Sequence, residues 1–387
     1  MQPLDGVRVL DLTRLLPGAY ATLQLADLGA EVIKIEDPRG GDGMRSLPTS
    51  AGRDYFALLN RSKRSVTLDL RSPGATAVFD ALCAKADVVV ESFRPSTARR
   101  LGVDGKALLQ RHPRLVCASI SGFGQSGPHA ERAAHDINYQ ALAGLLIQSS
   151  VADLNPSGAA APGQRLPTAS GLRPATEHAT ARRSPLPQMP GPLIGDIGAA
   201  MQAATRIVAA LLARERTGAG SIVDVSIHDA AMAWGLFPTT SELANACYAI
   251  YETADGQWLA LGALEPKFWK GFCERLGRPD LVRLQHAQGA ERARVEEEVR
   301  RTMIGLTRDE WLARFADADV CLTPIYTPDE AAADEHAAAR DEIFTVRARV
   351  DAPPRPAPAL GADTDRLLED AGIDAAERAR LRAAGAI

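Results

Sequence analysis

The strongest constraint on this chain is an alternation, set up in its first residues, of short β-rich runs with helical stretches. Val7-Arg8-Val9-Leu10-Asp11-Leu12 is followed by a turn at Pro17-Gly18, a helical stretch to about Leu28 and a second strand over Glu31 to Glu36. The strand signal returns at Val66 to Leu70, Asp87 to Val90 and Leu115 to Ile120, with helical segments near 74–86 and 104–111. Strands that alternate with helices pair side by side through crossovers, which gives a mostly parallel sheet covered by helices. The fold class is therefore α/β.

Further along, Ser149 to Gly191 turns to Pro, Ala, Gly, Ser and Thr and reads as a long surface loop. A helical period then runs from Ile197 to about Arg214, Thr217-Gly218-Ala219-Gly220 stops it, and Ser221 to Ser226 restarts a strand. Tyr248 to Tyr251 and Trp258 to Leu261 flank Asp255-Gly256 as a hairpin that opens a smaller α+β domain, with charged helical sequence to about Ala318. Pro353 to Pro358 leads into two terminal helices, Asp363 to Ala371 and Ala375 to Ala384. The expected organisation is a large domain over 1–225 that includes the 149–191 loop, a linker over 226–247, a small domain over 248–325, and a return to the large domain over 326–387.

A chain of 387 residues exceeds what one core usually supports, and its 46% apolar content is enough for two. A net charge of −4, from 44 basic and 48 acidic side chains, offers no field for nucleic acid or an anionic membrane. Cys83, Cys117, Cys247, Cys273 and Cys321 are scattered and include no C-x-x-C pair, which argues against a disulfide framework and against a zinc site or other metal centre. No window approaches eighteen consecutive apolar residues, no signal segment opens the chain, and Gly385-Ala386-Ile387 is not a peroxisomal address. A cytoplasmic protein is expected.

Two segments carry most of the chemistry. His135-Asp136-Ile137-Asn138-Tyr139 presents an imidazole before an apolar helix read over Ala141 to Ile147, and Gly195-Asp196-Ile197-Gly198 presents a carboxylate directly before the long helix. Asp196 suits an N-cap, an acid/base group or a nucleophile, and His135 suits either an ordinary imidazole or an opposed acid/base partner. Glu265 lies among apolar residues at a strand-to-helix junction before Pro266. Ser121 to Gly127 supplies backbone free of bulk, suited to a turn or to a ligand passing close by. Arg61, Lys63, Arg64, Arg71, Arg94, Arg99 and Arg100 fall near strand ends, where they make a solvated face or meet phosphate groups. Glu36 ends the second strand where a dinucleotide fold holds its ribose, yet Arg14-Leu15-Leu16-Pro17-Gly18 lacks the G-x-G-x-x-G turn, which argues against NAD or FAD.

Taken jointly, these residues resemble the class III CoA-transferase (CaiB/BaiF) family over nearly the whole chain, with motifs nearest its α-methylacyl-CoA racemases. The resemblance rests on Leu4 to Leu12, Ala26 to Glu36, Lys63 to Leu70, Glu91-Ser92-Phe93-Arg94-Pro95, Ser121 to Pro128, and the two segments above. It implies a Rossmann-like large domain that binds CoA without the dinucleotide glycines, and an interlocked homodimer whose active site forms between the large domain of one subunit and the small domain of the other. It implies CoA contacts at Leu16, Asp37, Leu68, Asp69, Leu70, Arg71, Ser92, Phe93 and Arg100, with no cofactor beyond CoA as part of the substrate. Relatives often carry Arg at Asp37 and Asn at Ser92.

By the same resemblance Asp196 is the catalytic aspartate. In transferases it attacks the thioester and forms an aspartyl anhydride; in racemases it works with a histidine, matched by His135, on opposite faces of the α-carbon, with Glu265 as a further active-site acid. The leading expectation is racemisation or epimerisation of a 2-substituted acyl-CoA. CoA transfer between carboxylic acids is the alternative, and CoA binding without turnover a third reading. The stretch between Val223 and Tyr248 is shorter than in the racemases and the 149–191 loop longer.

Overall fold

A computed structural model describes residues 2–47, 54–146, 191–236, 244–340 and 355–387. The expected 149–191 loop lies almost wholly outside these residues. The described parts of Met1–Leu146, Met189–Leu236 and Asp341–Ile387 form one compact unit, and the described part of Phe237–Arg340 forms a second.

The first unit is built on six parallel strands: β1 (Arg8–Leu12), β2 (Glu31–Glu36), β3 (Arg64–Thr67), β4 (Val88–Glu91), β5 (Val116–Ser121) and β6 (Ser221–Ser226). Their order is β3-β2-β1-β4-β5-β6, so the direction of winding reverses between β1 and β4. Alternate residues feed two cores, as a sheet buried on both faces requires. Val9, Val32, Val88, Val90, Val116 and Ala118 pack against α1 (Leu15–Asp27), α7 (Ile194–Thr217) and α8 (Ile227–Trp234). Leu10, Ile33, Val66, Val89 and Cys117 face the other way, onto α3 (Ala75–Cys83) and the C-terminal helices α14 (Thr364–Asp370) and α15 (Ala375–Ala383). That C-terminal return is pinned to β3, since Asp363 accepts the Ser65 N–H at 3.1 Å and Thr364 the Thr67 N–H at 3.0 Å.

Several boundaries differ from expectation for physical reasons. β3 ends at Thr67, three residues early, because Asp69 turns back to accept the Arg71 N–H at 3.1 Å. The expected 226–247 linker contains α8, capped where Ser226 accepts the Asp229 N–H at 3.0 Å and packed by Ile227, Ala230 and Ala231 into the first core. Helices α2 (Tyr55–Asn60), α4 (Pro95–Leu101) and α5 (Gly105–Arg111) complete the connections near the sheet. α7 is long and apolar enough, by length and composition, to cross a membrane. Its apolarity serves the core instead, where Ala199, Ala200, Ala203, Ile207 and Leu211 are buried.

The second unit carries the antiparallel sheet β7 (Tyr248–Glu252), β8 (Trp258–Gly262), β9 (Leu322–Pro324), with the expected hairpin joining the first two. Its core gathers Trp269 and Phe272 of α9 (Pro266–Leu276), Val295 and Val299 of α10 (Gly289–Met303), and Trp311 and Phe315 of α11 (Arg308–Phe315). Two further helices, α12 (Pro328–Ala333) and α13 (Glu335–Arg340), group with this unit, so it extends past the expected boundary at 325.

Candidate active site

A cleft of about 200 Å³ opens at the carboxyl ends of β1 to β4. Ligand crevices form there in open parallel sheets, because the winding reverses and the connecting loops diverge. Its walls are the residues that leave each strand: Leu12 to Arg14 after β1, Glu36 and Asp37 after β2, Leu68 to Arg71 after β3, and Phe93 after β4. Thr97 and Arg100 of α4 close one side. Of the nine expected contact residues, Asp37, Leu68, Asp69, Leu70, Arg71, Phe93 and Arg100 line this cleft.

The other two do not line it. Leu16 packs into an apolar cluster with Ala19, Leu23, Met44, Phe56 and Leu59, because the helix turns it away from the strand ends. The Ser92 hydroxyl accepts the Arg14 N–H at 2.9 Å and so ties the β4 loop to the start of α1. The turn at that point holds Leu15 at φ 62°, a left-handed conformation in a residue other than glycine. Arg14 lies over the Phe93 ring at 5.4 Å, a cation–π contact at the cleft wall.

Charges around the cleft are largely paired. Arg39 reaches Asp37 at 2.7 Å and Asp69 at 3.1 Å, while Arg71 reaches Asp69 at 2.9 Å and Asp37 at 3.1 Å, closing a four-membered ring. Lys34 pairs with Asp42 at 2.9 Å, and Lys63 with Asp11 at 3.1 Å, all four side chains being buried. Lys63 was expected on a basic surface. Instead its ammonium also donates to Thr22 Oγ1 at 2.8 Å and Asn60 Oδ1 at 2.9 Å, and burial pushes its pKa down to about 8. Glu91, buried at the end of β4, accepts the Phe93 N–H at 2.7 Å, and burial pushes its carboxyl up to about 7.

The second part of the site joins α6 (Asp136–Leu142) to the start of α7. Asp196 does not precede α7; it is the third residue of the helix, and Leu193 is the N-cap without a side-chain cap bond. The Asp196 N–H is one of the amides that a helix start leaves unpaired. It donates to Asp136 Oδ1 at 2.9 Å, so a carboxylate from another helix satisfies it. A Cβ on Gly195 would stand 2.9 Å from that same oxygen, which explains why a glycine precedes Asp196. Gln140, one turn along α6, donates through Nε2 to Asp136 Oδ2 and to the Pro192 carbonyl at 3.2 Å. The Asp196 carboxyl itself is pushed up to about 7, first by burial and then by the neighbouring Asp136 charge.

α6 begins at Asp136, five residues before the expected apolar helix. The reason is local. His135 takes the N-cap position and its N–H donates to Asn138 Oδ1 at 3.0 Å, which starts the helix there. The His135 side chain is exposed, next in sequence to the aspartate that holds the Asp196 backbone. Tyr139 donates to the Ala134 carbonyl at 3.1 Å, and burial, followed by the Asp196 charge, pushes its pKa up to about 12. Glu265 belongs to the second unit, exposed at the N-cap of α9 with no side-chain cap bond. Among the described residues no group of three or more His, Cys, Asp or Glu side chains is arranged to hold a metal.

Asp136 and Gln140 hold the start of α7 at Asp196 and Pro192, a role that sequence reading did not give them. Their i, i+4 spacing signals a shared helix face only once the helix is known to start at Asp136.

The profile of CoA-transferase family III matches residues 4–367. The chain belongs to CoA-transferase family III. Its relatives divide between two chemistries. It is 28% identical to the alpha-methylacyl-CoA racemase of Homo sapiens, over 97% of this chain and 94% of the relative. It is 31% identical to the succinyl-CoA–L-malate CoA-transferase alpha subunit of Chloroflexus aurantiacus, over 89% and 79%. Among solved structures, Rv3272 from Mycobacterium tuberculosis superimposes with a TM-score of 0.76 at 30% identity, covering 95% of this chain and 99% of that one. Members of family III are enzymes, racemases and CoA-transferases both among them, and this chain is one of them.

Proposed function

We propose that this family III enzyme racemises or epimerises 2-substituted acyl-CoA thioesters, such as 2-methylacyl-CoA, with His135 and Asp196 as its two acid/base groups. The observation that carries the reading is the Asp196 carboxyl, pushed up to about 7 at the start of α7, with His135 adjoining the residue that holds its backbone. Near neutral pH such a carboxyl exchanges a proton in either direction, as a racemase requires of each of its two groups. A nucleophile must be ionised to attack, and the same shift leaves part of it protonated near neutral pH.

In the forward direction one group takes the α-proton. The C–H bond breaks, its electron pair moves onto the thioester as an enolate, and the other group delivers a proton to the opposite face of the same carbon. Amides at the start of α7 and the helix dipole suit the developing negative charge on the enolate oxygen. Glu265 would act as the further acid. CoA is placed by this reading in the cleft at the strand ends, with Asp37, Leu68, Asp69, Leu70, Arg71, Phe93 and Arg100 around it and Leu16 and Ser92 holding its wall. The strand order agrees with a Rossmann-like sheet. The enzyme would work in the cytoplasm as an interlocked homodimer, with acyl-CoA as its only small-molecule partner and no other cofactor.

A second reading, CoA transfer through an anhydride on Asp196, is favoured by the transferase among its relatives. One experiment separates the two. A 2-methylacyl-CoA is incubated with enzyme in deuterated water, with and without a free carboxylic acid, for wild type and His135→Ala. α-Deuterium incorporation that collapses in His135→Ala supports racemisation. Acid-dependent CoA transfer indifferent to His135, with hydroxylamine trapping an acyl group at Asp196, would establish transfer instead.

A further inference from the structure

We propose that a pocket beside His135 receives the acyl group, and that Arg132 at its rim selects a short acyl group ending in a free carboxylate. This rests on the acyl-CoA reading above and adds the substrate class to it. The pocket measures about 200 Å³ and is formed by Phe123, the turn at Arg132 to Ala134, and Asn138, Ala141 and Leu142 of α6.

Two contacts tie this pocket to the acid/base groups. Asn138 Oδ1 accepts the His135 N–H at 3.0 Å, so the pocket wall and the imidazole share one helix cap. Phe123 meets Tyr139 edge-on at 5.3 Å between ring centroids, one turn along α6 from the Asp136 carboxylate that holds Asp196.

Size limits the ligand. A cavity of about 150 Å³ takes one benzene ring, so the space within this lining suits roughly eight non-hydrogen atoms, the size of a short acyl group. Polarity specifies its end. Apart from Asn138 and Arg132 the lining is Phe, Ala and Leu. The Arg132 guanidinium has no hydrogen bond or ion pair among the described residues. The adjacent acid is already committed, since Glu131 takes the Ser96 N–H at 2.8 Å, the Ser96 hydroxyl at 2.6 Å and Arg99 at 3.4 Å. A guanidinium beside an apolar pocket matches a planar carboxylate at the end of a short chain through two parallel N–H···O bonds. A neutral chain of equal length fills the lining and gains nothing from Arg132.

The test titrates the full chain calorimetrically with two CoA thioesters of matched length, the 1-thioester of 2-methylsuccinate and that of 2-methylbutanoate, and with CoA alone. The carboxylated thioester is expected to bind about tenfold tighter, as one charge-assisted pair gives. Arg132→Gln should reduce it to the neutral level and leave the neutral thioester within about twofold, with Arg132→Lys in between. Ala141→Phe, which fills the pocket, should weaken both thioesters and spare CoA alone. Equal binding of the two thioesters by wild type, failure of the carboxylated one to bind, or equal loss of both in Arg132→Gln would overturn the proposal. Deuterium exchange and CoA transfer, run in parallel, report on the functional reading separately: absence of both with either thioester defeats that reading while the binding preference is still read.

Discussion

Asp136 Oδ1 accepts the backbone N–H of Asp196 at 2.9 Å, so one carboxylate fixes the position of another while repelling its charge. The two effects are separable, because the first needs only an acceptor oxygen and the second needs an ionised one.

Asp136→Asn keeps an oxygen for the Asp196 N–H and removes the charge. The Asp196 carboxyl should fall from about 7 toward its ordinary value of 3.8, stopping short because burial is the larger cause of the shift. The limb of the pH–rate profile that reports Asp196 moves to lower pH, and the melting temperature falls modestly because the new Nδ2 cannot accept the Gln140 N–H that Asp136 Oδ2 accepts. Asp136→Ala, by contrast, also removes the cap and should cost about 1 kcal/mol of stability. A profile limb that stays in place in Asp136→Asn would rule out the charge effect.

The raised Asp196 pKa also has a thermodynamic sign. The folded state holds its proton more tightly than the unfolded state, whose carboxyl titrates near 3.8, so the associated stability is full below pH 3.8 and is lost as pH rises through about 7. Asp196→Asn removes that loss. The variant should be inactive yet melt higher than wild type at pH 8, with a smaller gain or none at pH 4. Thermal melts at the two pH values check this, at roughly 2–4 °C for each kcal/mol in a domain of this size. An equal shift at both would indicate packing rather than ionisation.

Most of the sheet was legible in sequence because burial on both faces leaves mainly apolar runs, Val9-Leu10, Val32-Ile33, Val88-Val89-Val90 and Val116-Cys117-Ala118, in β1, β2, β4 and β5. The terminal helices were legible within one residue, Thr364–Asp370 against Asp363 to Ala371 and Ala375–Ala383 against Ala375 to Ala384. Short helices were not. α2 and α4 have too few turns for a period to emerge, although Pro95 at the first turn of α4 and Gly102 in a left-handed C-cap are start and stop signals in their own right. The two segments proposed to carry the chemistry were singled out by motif, and both helix starts were placed too late. Each start is set by a side chain rather than by periodicity: Asn138 takes the His135 N–H, and Asp136 takes the Asp196 N–H from sixty residues away. Lys63 was misread because a buried lysine looks like a surface one until Asp11 is seen beside it.

The charge ring at the cleft gives a prediction about CoA binding. Arg39 and Arg71 both donate to Asp37 and Asp69. Those bonds use Nε and Nη2 of each guanidinium and leave Nη1, so a phosphate entering here shares the two cations with the carboxylates. Asp37→Asn releases part of both guanidiniums and should tighten CoA binding several-fold at low salt, with a steeper loss as ionic strength rises. Calorimetric titration at two salt concentrations checks this. Unchanged affinity at both would mean that the ring lies outside the CoA footprint.

The contact between Gly122 and Tyr139 leaves no room for a side chain at that glycine. A Cβ on Gly122 would stand 2.3 Å from the Tyr139 hydroxyl and 3.0 Å from the ring carbons beside it, inside any permissible separation. Gly122→Ala must therefore displace Tyr139, and with it α6, whose Asp136 holds the Asp196 amide. Overpacking of this kind costs about 1–3 kcal/mol, and here the displacement should also lower activity more than a surface substitution of equal stability cost. Tyr139→Phe alone loses the bond to the Ala134 carbonyl, roughly 0.5–1.5 kcal/mol. It also removes the atom that clashes worst. The double variant should consequently be less destabilised than the two single changes added together, and should recover part of the activity lost in Gly122→Ala. Strict additivity in a double-mutant cycle of melting and rate would show that the glycine serves the 121–127 turn alone, with no role in seating α6.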